Sequence, residues 1–187
     1  MKLRNFISDS VQLAGLRIIN AAAKSGGYHV NRGIPYGSEP RNQLDHYVLH
    51  TGDAEDKVKR PLVLFIYGGN WQSGHRGNYR FVADTLCSLG YDVVVPDYRL
   101  YPNVRFSGIL ADVRMAITWV MNSEEIDSRR PIYVMGHSAG AQLGSLLCLN
   151  PALLSDLPGA EKRIAAFIGL SGPYDFYPYT EESHWDL

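Results

Sequence analysis

Cysteine is scarce in this chain of 187 residues: Cys87 and Cys148 are the only two. They stand far apart, in no CxxC or Cys/His spacing, which excludes a zinc knuckle and a dithiol redox motif. Both fall inside apolar helical patterns, and they are read as packing thiols, because free cysteine is among the most buried residue types. An excess of charge of one sign is also missing. With 18 Lys plus Arg against 19 Asp plus Glu, the formal charge is −1, and the densest basic stretch is the short run from Lys57 to Arg60. Nothing there tracks a phosphate backbone, so nucleic acid is excluded as a partner. No apolar run reaches the length needed to span a membrane. There is no G-x-G-x-x-G after any apolar run and no P-loop, which argues against dinucleotide and nucleotide binding. His29, His46, His50 and His75 show no metal-ligand spacing. Neither a metal nor any other cofactor is expected, and internal repeats and low-complexity tracts are absent.

The N-terminus carries the one segment that mimics a targeting signal. Lys2 and Arg4 precede an apolar stretch over 11–23, but Arg17 interrupts it, and Leu13-Ala14-Gly15 is followed by Leu16 rather than by a lipoprotein cysteine. The expected compartment is therefore the cytoplasm. Leu3, Ile7, Val11, Ala14, Ile18 and Ala22 recur at three- and four-residue steps, so residues 1–24 read as an amphipathic helix. Its apolar stripe is expected to pack on the body or over a pocket. Contact of residues 1–23 with a membrane surface is the alternative.

With 45% hydrophobic residues, the rest of the chain, 25–187, is long enough for one core and too short for two. Residues 33–40, rich in breakers, read as a turn-rich connection, and 44–49 as an early strand. The short β-rich runs at 62–66, 93–95, 132–135 and 164–168 read as buried parallel strands. Helical patterns separate them: 79–89 ending at Gly90, a stripe of Ile109, Leu110, Val113, Ala116, Ile117 and Val120 capped at Ser107, and 139–149 ending at Asn150-Pro151. Alternation of this kind predicts an α/β fold, a doubly wound and mostly parallel sheet with helices on both faces.

Two glycine-rich stretches carry chemistry. Gly136-His137-Ser138-Ala139-Gly140 matches G-x-S-x-G, and it follows a strand and opens directly into a helix. In that context the serine sits on a tight, strained turn with its hydroxyl exposed, and a side chain in place of either glycine would strike a neighbouring strand or helix. The helix N-terminus adds positive partial charge where an oxyanion would form. Tyr67-Gly68-Gly69-Asn70-Trp71 directly follows the strand at 62–66. Adjacent glycines let main-chain N–H groups approach a substrate, so Gly68, Gly69 and Asn70, joined by Ala139, are the candidate oxyanion donors around the candidate nucleophile Ser138.

Taken together, these pieces are similar to a known family. Ile34-Pro35-Tyr36-Gly37, Leu44-Asp45-His46-Tyr47, Gly68 to Gly74, Asp97-Tyr98-Arg99-Leu100, Gly136 to Gly140 and Ser171-Gly172-Pro173-Tyr174-Asp175 run in order over 28–178. In this the chain resembles the α/β-hydrolases of the esterase/lipase group related to hormone-sensitive lipase, feruloyl-esterase-like proteins and kynurenine formamidase. The resemblance implies a serine hydrolase acting on carboxylic esters through an acyl-enzyme on Ser138. A formamidase or amidase is the alternative, because Trp71-Gln72-Ser73-Gly74 resembles the formamidase version of the loop. Tyr67 stands where relatives usually carry a histidine that braces the loop.

The family places its triad acid and base after the seventh and eighth of its eight strands, whereas Leu187 follows shortly after what reads as the sixth. A non-catalytic truncated fragment is thus a further reading, and weak ester turnover is expected of the chain by itself. His184, the one histidine downstream of Ser138, and Asp175 are the remaining triad candidates, and neither occupies the family's position. Asp175 reads more readily as a turn residue, His137 as structural, and Asp97, Arg99 and Asp112 as an ion pair supporting the loop at 97–100. An unpaired outer edge on the strand at 164–168 would favour self-association. A small-molecule ester or amide is the expected ligand.

Overall fold

The two most apolar runs become the two innermost strands of a six-stranded sheet. A computed structural model describes residues 15, 18–20, 26–50 and 54–175, and in it every residue of β3 (Leu62–Ile66) and β4 (Asp92–Pro96) is buried. Burial on both faces explains why neither run alternates in hydropathy. They are joined by β1 (Tyr28–Pro35), β2 (Gln43–Leu49), β5 (Ile132–His137) and β6 (Ile164–Leu170) in the order β1-β2-β4-β3-β5-β6. The pairs β3–β4, β3–β5 and β5–β6 are parallel, whereas β1–β2 and β2–β4 are antiparallel. The mostly parallel sheet read from the sequence is therefore present, with an antiparallel hairpin at one end.

Five α-helices fill the connections among the described residues: α1 (Ala54–Lys59), α2 (Arg80–Ser88), α3 (Phe106–Asn122), α4 (Ala139–Leu149) and α5 (Ala160–Arg163). Five of the six residues of the stripe anticipated for α3 are buried, Leu110 is half-buried, and Asp112 and Met121 extend the buried face. Its start differs from expectation. Ser107 lies inside the helix, and Arg105 is the N-cap, with no side-chain hydrogen bond there. Asp112, wholly buried, instead receives Arg99 through two nitrogens, Nε at 2.9 Å and Nη2 at 2.7 Å. That is half of the ion-pair cluster foreseen. Asp97 takes no part in it and serves the loop after β3.

Residues 33–35, read as part of a turn, belong to β1. The register shifts between Asn31 and Ile34, and Gly33, at φ 66°, takes up the bulge while its N–H donates to Asp45 Oδ1 at 2.9 Å. At the other side of the sheet, β6 is the outermost strand among the described residues, with Ile168 and Leu170 39% and 42% exposed. Most of residues 1–24, where the amphipathic helix was expected, lies outside the described residues; Gly15 and residues 18–20 are helical. Among the described residues no helix is long and apolar enough to cross a membrane. Burial pushes the thiol of Cys87 up to about 12 and that of Cys148 up to about 11, so both remain protonated.

His46, on β2, is 2% exposed, packs edge-on against Trp119, and has no hydrogen bond to either ring nitrogen. Glu125 stands 3.8 Å from its Nδ1, too far for one. Burial lowers its pKa from the usual histidine value. The unfolded chain therefore takes up a proton at His46 before the folded one does, and stability falls as pH drops below ~6.5, by up to ~1.4 kcal/mol per pH unit. Urea unfolding at pH 7.5 and 5.5 should show a smaller loss in His46→Phe than in the wild type.

Candidate active site

Ser138 stands alone between the last residue of β5 and the first of α4, with φ 52° and ψ −123°. A non-glycine residue in such a conformation costs ~1–3 kcal/mol and persists only where its surroundings impose it. The surroundings do so here. The Ser138 N–H donates to Leu170 O at 2.8 Å, and its carbonyl accepts from Ala141 and Gln142 in the first turn of α4. The flanking glycines have the steric role inferred from the motif. A Cβ on Gly136 would overlap the backbone of Gly140 and Ala141, and one on Gly140 would overlap the carbonyl oxygens of Ile66 and Tyr67. Gly140 thus lets the first turn of α4 touch the end of β3, where the second motif begins.

That second motif lies directly against the serine. A Cβ on Gly68 would fall 2.8 Å from both Ser138 Cβ and His137 O. The turn beyond is tight: Gly69, Asn70 and Trp71 have φ of 141°, 52° and 57°. Three successive carbonyls of this loop are held from behind. Tyr98 donates its hydroxyl to Tyr67 O at 2.9 Å, Tyr79 donates to Gly68 O at 3.2 Å, and Gly69 O accepts from the N–H groups of Gln72 and Ser73. In a planar trans peptide the N–H opposes the C=O. Fixing those three carbonyls therefore fixes the N–H groups of Gly68, Gly69 and Asn70 on the opposite edges of their peptides. Ala139 adds an N–H from the first turn of α4, where helix geometry leaves no intrahelical acceptor.

Tyr67 braces the loop by reaching across the molecule. Its ring is stacked between those of Tyr79 and Tyr98, with centroids 5.2 and 4.8 Å away, and is fully buried. Burial raises all three phenols, those of Tyr67 and Tyr98 well above their ordinary range, so each hydroxyl keeps its proton and donates. The Tyr67 hydroxyl donates to Asp97 Oδ1 at 2.6 Å and accepts from Arg41 Nη2 at 3.0 Å. Arg41 also donates to Tyr98 O and Gly74 O, and Asp97 receives both the N–H and the guanidinium of Arg76. Asp97 and Arg41 thereby tie the start of the loop at Tyr67 to its end at Gly74 and Arg76.

Ser138, Gly69, Asn70 and His137 open onto a cleft of about 740 Å³. Most of its wall is apolar: Phe65, Phe81, Val82, Leu86, Met135 and Leu170. His137, read as structural, is an exposed member of that wall. Of the triad candidates, Asp175 is exposed beyond β6 and does not line the cleft, while His184 lies outside the described residues. No hydrogen bond joins the Ser138 hydroxyl to a histidine among the described residues. The geometry brings together the serine and its four candidate donors. Sequence reasoning missed Arg41 and Arg76, whose only signal would have been charge near a turn, and the tyrosines at 79 and 98.

A strained serine between a parallel strand and a helix, facing a glycine loop after a neighbouring strand, defines an α/β-hydrolase core. The BD-FAE family model matches residues 49–186, and the chain belongs to this family. It is 32% identical over 162 residues to the isoprenylcysteine α-carbonyl methylesterase of Arabidopsis thaliana, covering 83% of this chain and 37% of that protein. It is 30% identical over 115 residues to the kynurenine formamidase of Drosophila melanogaster, covering 62% and 38% of the two chains. The chain thus spans less than two-fifths of these relatives' length. The crystal structure of esterase B from Lactobacillus rhamnosis superposes with a TM-score of 0.66 at 25% identity, covering 82% of this chain and 50% of that one.

Proposed function

We propose that the protein is a serine hydrolase that cleaves carboxylic esters through an acyl-enzyme on Ser138. The observation that carries this reading is the contact of the Ser138 turn with a loop whose three successive peptides are held by their carbonyls. In the reaction, Ser138 Oγ attacks the acyl carbon and gives up its proton to a base. The carbonyl oxygen becomes an oxyanion opposite the N–H groups of Gly68, Gly69, Asn70 and Ala139. Collapse expels the alcohol with a proton, leaving the acyl group on Oγ, and water then releases it as a carboxylic acid. Because the donors are fixed before substrate arrives, little reorganisation opposes charge development.

Hydrolysis of a formamide or amide by the same steps is the second reading, supported by the formamidase relative. The ester reading is preferred on two grounds. The cleft is mostly apolar, and Trp71, part of the formamidase-like stretch, is buried edge-on against Phe106 and does not line the cleft. The test is reaction with a fluorophosphonate, peptide mass spectrometry, and a panel of p-nitrophenyl esters against N-formylkynurenine. The expected result is a single adduct on Ser138, absent in Ser138→Ala, with esters turned over faster than the formamide. An adduct elsewhere, or none, would remove Ser138 from its role. His184→Ala, in the same assays, shows whether His184 is the base.

A further inference from the structure

The wall of the cleft is completed from a remote part of the chain. Gly15 and Ile19, on the N-terminal helical segment, line it together with residues contributed by α2. Ile19 is 49% exposed, although it lies against an apolar cavity. The residue after it is what fixes it there. Asn20 Oδ1 accepts the Phe81 N–H at 2.9 Å, and its Nδ2 donates to Gly77 O at 3.1 Å. The first of these bonds matters to α2 itself. Tyr79, the N-cap of α2, supplies no side-chain hydrogen bond, so one of the helix's free N–H groups is satisfied from 61 residues away in sequence. The same helix carries Phe81, Val82 and Leu86 into the cleft. One carboxamide therefore joins the segment that carries Ile19 to the start of the helix that carries Phe81, Val82 and Leu86.

We infer that Ile19 is a specificity-determining residue for esters with an extended apolar chain, and that Asn20 is its positioning residue. The inference rests on the ester reading of the Ser138 cleft. A longer aliphatic chain brings more apolar surface to the cleft wall that Ile19 shares with Ser138 than an acetyl group does, and so gains more from covering the half-exposed Ile19. A few methylene-sized contacts in an apolar site shift selectivity by roughly one order of magnitude.

The decisive measurement is the ratio of kcat/KM for p-nitrophenyl octanoate to that for p-nitrophenyl acetate. In Ile19→Ala the ratio should fall about tenfold relative to the wild type, as expected for lost apolar contacts. Asn20→Ala should lower it to a similar extent. Asn20→Asp keeps an acceptor for the Phe81 N–H at a helix N-terminus but sets a carboxylate oxygen against Gly77 O, so its ratio should fall between those of Asn20→Ala and the wild type. A merely structural role for Asn20 would lower both substrates equally and leave the ratio unmoved, and that result overturns the inference. Calorimetric binding of 1-octanol to Ser138→Ala separates this inference from the ester reading. Weaker octanol binding on adding Ile19→Ala upholds the subsite even if no ester is turned over, and unchanged binding refutes it even if esters are.

Discussion

Replacing Gly140 with alanine should destabilise the protein by about 3 kcal/mol or more and suppress fluorophosphonate labelling of Ser138 in whatever remains folded. The new methyl group would overlap the carbonyl oxygens of both Ile66 and Tyr67. These are backbone atoms at the end of a wholly buried strand, so neither can rotate away as a side chain would. Relief requires moving α4 off the sheet or moving the strand end, and both motions separate Ser138 from Gly68. Gly68→Ala strains the same contact from the other side, through Ser138 Cβ and His137 O. Gly26→Ala is the appropriate control, because nothing lies near its Cβ position and its φ is ordinary; it should change stability by less than ~0.5 kcal/mol. Equilibrium urea unfolding of the three variants, with labelling rates measured well below each midpoint, checks the expectation. Wild-type stability in Gly140→Ala would mean that the helix and strand are less tightly apposed than they stand here.

The serine turn and the glycine loop were legible in the sequence because each depends on neighbours. A strand, a small-residue turn and a helix in succession specify the conformation of Ser138 locally, and adjacent glycines announce a close backbone approach. What holds the loop was not legible, because its parts come from four places in the chain. Arg41, Tyr67, Arg76 and Asp97 converge only when β2, β3 and β4 lie side by side, and no periodicity records that convergence. The strand β1 was hidden for a different reason. Gly33 and Pro35 are turn residues in most settings, but β1 is the outer strand of its hairpin, where a bulge accommodates the one and a missing N–H at the strand's end accommodates the other. Asn20 shows the same limit in miniature. The stripe read from the sequence runs through Ile18, which is 72% exposed, whereas the neighbouring Ile19 lines the cleft, and the bond from Asn20 to Phe81 exists only once the segment has docked.

Asp97→Ala should cost more than any other single change to the loop's support, about 2–4 kcal/mol, because it removes a buried charge partner and leaves a buried hydroxyl without its acceptor. The carboxylate is 2% exposed and faces two guanidinium groups and an imidazole. The Arg76 guanidinium is bonded to it, and Arg41 Nη2 lies 3.7 Å and His75 Nε2 3.3 Å from it. Arg76 would retain Asp45 at 2.7 Å and the Gln43 side chain at 3.0 Å, so it would not be stranded. The Tyr67 hydroxyl would fare worse. Enclosed between two rings, it would lose its acceptor at 2.6 Å and keep only the Arg41 donor, which cannot accept its proton. An unsatisfied buried hydroxyl costs ~1–3 kcal/mol by itself. Asp97→Asn isolates the charge, since its amide oxygen can still accept from Tyr67, and it should cost less than the alanine. Tyr67→Phe removes the hydroxyl and leaves the ring stack. If the two groups act through their mutual bond, Tyr67→Phe combined with Asp97→Ala should be less destabilising than the sum of the single changes, by ~1 kcal/mol or more. Strict additivity in that cycle would show that Asp97 acts through Arg76 alone, and that the tyrosine holds the loop by stacking rather than by its hydroxyl.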